Sequence, residues 1–198
     1  LRIGLLFSLL STFAFCMLPE SSNDGLAYQL NIAKLFLRQS SIAPVEYDVS
    51  SYQSFLQNML YTVGLMFRNV PIAKLFHWLT GVLLVLAVVA TVEQKTGDIS
   101  LGVLTATFLW FTPTLINQIT TAYVDVGVTL FVFLSVYLLI EKPRGKWMDI
   151  FYSGVLMGIA ISIKFMAVTA CFAATICLLL RVVDALFKSV SRSSLRRE

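Results

Sequence analysis

Charge is scarce in this sequence: Asp, Glu, Lys and Arg together make up 13% of its 198 residues, while 58% are hydrophobic. Soluble domains carry about 25% charged residues, so this chain has too little polar surface for water, and its mean hydropathy of +0.81 makes it an integral membrane protein. Histidine occurs once, as His77, which excludes a multi-histidine metal site; next to Trp78 it reads as part of an interfacial aromatic belt. The three cysteines, Cys16, Cys171 and Cys177, stand singly in apolar runs, with neither disulfide-framework nor C-x-x-C spacing, and read as small buried hydrophobes. The sequence has no G-x-S-x-G, H-E-x-x-H, Walker or dinucleotide motif, and no internal repeat or low-complexity run. The net charge of +4 is spread over short loops and a tail, a pattern of membrane topology and not of a nucleic-acid surface.

What is present is long apolar runs. A helix needs about 20 residues to cross roughly 30 Å of hydrocarbon. Leu1 to Leu18, Leu75 to Val92, Ile99 to Ile116 and Ala122 to Ile140 are four such candidates, and the stretch from Asp149 to Phe187 fits two helices meeting near Lys164. Six spans put Arg2, Lys95, Lys142, Arg144, Lys146, Arg181, Lys188, Arg192, Arg196 and Arg197 on one side, ten of the fifteen basic residues. By the positive-inside rule that side is cytoplasmic. The expected fold is therefore all-α and polytopic, one membrane module over residues 1–198, with both termini inside. The run "LRIGLLFSLLSTFAFCML" lacks an A-x-A-like cleavage site and reads as a first membrane helix of a chain that is part of something larger.

The first outer loop, residues 19–71, is too long for a simple link. "LAYQLNIAKLFLR" sets Leu26, Leu30, Ala33 and Leu37 at helical spacing, and "SFLQNMLYTVGLMF" does so with Phe55, Met59, Val63 and Met66. Both are expected as amphipathic helices on the outer leaflet, separated by the polar, Pro44-containing loop "SSIAPVEYDVSSYQ".

Asp125 opens an apolar run, although a carboxylate deep in a bilayer costs roughly 2.5–3.5 kcal/mol. On the six-span topology Asp125, Asp24 and Lys164 all come to the outer face. Asp24 is equally suited to capping a helix, Asp125 to an interfacial position, and Lys164 to snorkelling toward headgroups; their shared face raises the functional reading.

The succession "NDGLAYQLNIAKLFL", "AKLFHWLTGVLLVL", "TPTLINQITTAYVDVGVTLF" and "GVLMGIAISIKFMA" resembles the first half of the membrane module of GT-C glycosyltransferases. Within them it is similar to the bacterial, lipid-carrier-dependent branch related to protein O-mannosyltransferases and the lipid A aminoarabinose transferase. The resemblance implies an inverting transferase that moves a sugar from a polyprenyl phosphate to an acceptor hydroxyl at the periplasmic face of the bacterial inner membrane. It implies Asp24 as general base and Asp125 as a second site carboxylate; Gly25 stands where the family often has another acid. The carrier phosphate needs a cation, for which Lys164, Arg68 and Lys74 are candidates. A divalent ion would need more oxygen ligands than are evident, so metal stays open. A transporter or flippase fragment using Asp125 and Lys164 as a coupling pair is the rival reading, and an inactive truncated scaffold is the other.

Overall fold

The computed structural model describes residues 2–141 and 147–194. The basic residues Lys142, Arg144, Lys146, Arg196 and Arg197, invoked for topology, lie outside the described residues. The chain is helical as expected, with no strand among the described residues: α1 (Arg2–Cys16), a π-helical turn (Gly25–Gln29) running into α2 (Leu30–Gln39), α3 (Leu56–Met66), α4 (Val70–Thr96), α5 (Ile99–Trp110), α6 (Pro113–Thr120), α7 (Asp125–Glu141), α8 (Trp147–Ile163) and α9 (Val168–Ser194).

Two segments, Val70–Thr96 and Phe165–Asp184, are each long and apolar enough to cross a membrane. The expected span from Ile99 to Ile116 is not one helix: α5 and α6 meet at 73°. Pro113 explains the break, since it lacks an N–H and forces the residue before it out of the α region; Thr112 is extended, at φ −65° and ψ 121°. The α5–α6 pair counts as a third span only if taken together, and α1, α7 and α8 are apolar but shorter, so among the described residues the expected count of six is not reached on length alone.

Helix α4 is the axis of the bundle, packed by α3, α5 and α7, and α7 in turn packs against α8. One core cluster lies at the helices of residues 19–71 and includes Leu30, Ala33, Tyr61, Ala73, Val124 and Ile163. A second, around Leu84, Ala106, Trp110, Ile119, Val126 and Leu130, lies deeper. Two glycines permit the closest approaches. A Cβ at Gly64 would stand 2.5 Å from Ala73 Cα, so α3 meets α4 backbone to backbone, and one at Gly81 would stand 2.7 Å from Ile119 Cγ2, where α6 folds onto α4. Between α7 and α8, Ser135 Oγ and Ser153 Oγ lie 2.8 Å apart and each also donates to the other's carbonyl, satisfying both hydroxyls away from water.

Helix α3 turns its polar side to the protein. Gln57, Asn58, Tyr61, Gly64 and Leu65 face inward, while Val63 and Met66 are exposed. In a membrane setting the apolar stripe can face lipid and the polar residues the protein, which reverses the rule for water. His77, expected in an interfacial belt, is fully buried within the bundle, and Trp78 donates its indole N–H to Thr12 Oγ1 at 3.1 Å on α1. Of the cysteines only Cys16 is buried; Cys177 is exposed.

Candidate active site

Helix α8 stops at Ile163, and Lys164 follows in extended conformation before a short 3-10 turn, Phe165–Ala167, starts the chain back down as α9. That break lets the Lys164 side chain project across to the first turn of α7. There Nζ donates to Asp125 Oδ1 at 2.5 Å. Asp125 sits where the helix dipole favours a carboxylate, and its side chain is 42% exposed against 43% for Lys164. The pair therefore sits at a rim and avoids the full desolvation cost of a buried charge.

Two cavities of different character meet at Lys164. On one side a groove of about 660 Å³ runs between α7 and α9, walled below the ion pair by Val128, Val132, Phe133, Val136 and Ala170. It continues into a second hollow of about 280 Å³, which shares Val132, Val136 and Ala170 and extends past Ala174 and Cys177 to Leu178. On the other side a cavity of about 430 Å³ presents Tyr28, Gln29, Gln53, Ser54 and Asn58, together with Phe165. Asn58 Nδ2 donates to Gln29 Oε1 at 2.8 Å and also to its carbonyl oxygen at 2.8 Å, so the loop helices are tied together at this polar wall.

Asp24 precedes the π-helical turn and caps nothing with its side chain; Ser22 Oγ takes the Gly25 N–H instead, at 3.1 Å. One turn on stands Tyr28, whose phenol feels the Asp24 charge. Partial burial first, then the charges of Asp24 and, more weakly, Asp125 push the Tyr28 pKa up. Tyr28 thus feels the charge of both carboxylates and lines the same cavity as Lys164. Its role was not read from the sequence; the i, i+4 spacing of Asp24 and Tyr28 on one turn was the available signal.

The other two candidate cations sit elsewhere. Lys74 is buried with its side chain 2% exposed, donating to the Leu18 carbonyl at 3.0 Å and lying 3.9 Å from Glu20 Oε2. Glu20, also passed over in the sequence, accepts from Ser22 N at 2.8 Å and from Ala122 N at 2.7 Å. It clips the start of the long first loop to the α6–α7 connection, three residues before Asp125. Beside it, His77 Nδ1 lies 3.3 Å from the Thr121 carbonyl, and the Tyr61 hydroxyl donates to the Tyr123 carbonyl, so the segment carrying Asp125 is held from three directions. Arg68, exposed and at φ +54°, lines a separate crevice near the α3–α4 turn. Among the described residues no three His, Cys, Asp or Glu side chains converge as metal ligands would.

The sequence model described as dolichyl-phosphate-mannose-protein mannosyltransferase matches residues 46–196. The matched stretch contains Arg68, Lys74, Asp125 and Lys164; Asp24 precedes it. No curated protein and no solved structure matches the chain.

Proposed function

The chain belongs to the dolichyl-phosphate-mannose-protein mannosyltransferase family, whose members are glycosyltransferases using polyprenyl-phosphate-linked sugars, and from that premise we propose that it moves a sugar from such a donor to an acceptor hydroxyl. The observation that carries this reading is the apolar α7–α9 groove ending on Lys164, with a polar cavity on the lysine's other side. A polyprenyl phosphate sugar has the same order: apolar chain, anionic phosphate, polar sugar.

In this reading the isoprenoid lies along Val132, Val136 and Ala174, and the phosphate meets the Lys164 ammonium. The sugar enters the cavity beside Tyr28 and Gln53. Asp24 takes the proton from the acceptor hydroxyl, whose oxygen bonds to the sugar's anomeric carbon as the bond from that carbon to the phosphate oxygen breaks. The electron pair leaves with the polyprenyl phosphate, and Lys164 stabilises the charge that develops there. A single displacement inverts the anomeric centre. Asp125 holds Lys164 at the junction of the two cavities. Lys74, buried and engaged by Leu18 and Glu20, holds the loop and not the carrier.

The charge asymmetry of the loops supports placing this end of the bundle at the periplasmic face of a bacterial inner membrane. The test is sugar transfer in membranes from a panel of polyprenyl-phosphate sugars, comparing the protein with its Asp24→Asn variant. Acceptor-dependent transfer lost in a still-folded variant is the expected result. A folded protein that transfers nothing across a broad panel of donors and acceptors sinks the reading in favour of a scaffold.

A further inference from the structure

The crevice that holds Arg68 has no part in the chemistry above. It measures about 340 Å³ and opens where α1 ends, α2 passes and α4 begins. Its walls are apolar, with Met17, Leu26 and Val70, and two cations, Lys34 and Arg68, complete the lining. Both are exposed, and neither has an ion-pair partner among the described residues. The acid that shares the crevice, Glu20, is already engaged by the N–H groups of Ser21, Ser22 and Ala122 and by Lys74. The first turn of α4 also starts without a side-chain cap at Asn69, which leaves its positive end facing the same space.

Around it the surface is fatty: Leu26 is 50%, Met66 66% and Phe67 68% exposed. A crevice with an apolar floor and a cationic rim, bordered by exposed apolar side chains, matches an amphiphile with one negative charge at its head. We propose that this crevice binds the phosphate headgroup of an anionic phospholipid between Lys34 and Arg68, with the acyl chains descending along the exposed face of α1, where Phe13 and Leu10 lie open. The site is separate from the carrier site at Lys164, and its occupant would fix the end of α1 against the α3–α4 turn beside the Glu20 clip.

The test counts lipids on the purified, delipidated full chain by native mass spectrometry as phosphatidylglycerol is titrated in. Phosphatidylcholine and inorganic phosphate form parallel arms. One variant carries Lys34→Gln with Arg68→Asn, asparagine being a residue that accepts the left-handed backbone of that position. A charge-matched control carries Arg38→Gln with Lys95→Gln, outside the crevice. The expected result is one tightly held phosphatidylglycerol on the wild type and the control, weakened about tenfold or more in the crevice variant, with phosphatidylcholine held weakly and millimolar phosphate displacing nothing. Equal retention by the crevice variant, equal loss by the control, equal affinity for phosphatidylcholine, or displacement by phosphate would each overturn the proposal.

Discussion

Lys164 Nζ stands 2.5 Å from Asp125 Oδ1, joining the break after α8 to the first turn of α7 at the point where an apolar groove and a polar cavity meet. Because both side chains are more than two-fifths exposed, the pair contributes little to stability, at most about 1 kcal/mol. Its value lies in where it holds a cation.

Asp125→Asn and Lys164→Met should therefore leave thermal unfolding nearly unchanged and each lower kcat/KM for sugar transfer, Lys164→Met by roughly a hundredfold. The double variant should lose scarcely more than Lys164→Met alone, because Asp125 acts through the lysine. Strictly additive losses in a double-mutant cycle would separate the two residues.

The groove gives a second expectation. Ala174→Trp fills the lower hollow between α7 and α9, so KM for a long-chain donor should rise about tenfold or more while a short-chain analogue is used as before. Equal loss for both donors would mean that the isoprenoid lies elsewhere.

Glu20 and Lys74 should behave as structure and not as chemistry. Glu20→Ala strands a buried lysine and the Ala122 N–H, at a cost of about 3 kcal/mol, seen as a lowered unfolding midpoint. Lys74→Met should cost less, because the Glu20 carboxylate keeps its backbone donors. A Lys74→Met protein of normal stability that cannot bind donor would return the lysine to the site.

Tyr28 carries a pH expectation. Its pKa is raised in the fold, so the folded state keeps this proton more firmly than the unfolded chain does. That contribution to stability is fully present below the ordinary tyrosine pKa, about 10, and is lost as pH rises through the folded value. Ultraviolet titration of wild type against Tyr28→Phe should show one tyrosine ionising late, and Asp24→Asn should bring that ionisation earlier. An ordinary titration for Tyr28 would dissolve its link to Asp24.

Much of this was legible in the sequence, because hydropathy and charge report depth. The apolar helices, the helices within residues 19–71 and the common end of the bundle for Asp125 and Lys164 all follow from it. Depth is not lateral position, however, and three cations of similar depth proved to occupy different surroundings: Lys164 at the cavity junction, Lys74 under Glu20, Arg68 in a crevice of its own. Pro113 did signal the break between α5 and α6, but an uninterrupted hydropathy run concealed it. Spacing on α3 showed an apolar stripe but not which residues meet the protein, since spacing alone cannot distinguish a side that meets lipid from one that meets protein.

The central claim is that Lys164 receives the donor phosphate, and equilibrium binding of a polyprenyl-phosphate sugar to the purified chain tests it most directly. Lys164→Met should weaken binding by about tenfold or more, whereas Arg68→Asn should leave it unchanged. Donor affinity that survives Lys164→Met, or falls with Arg68→Asn instead, would contradict the account.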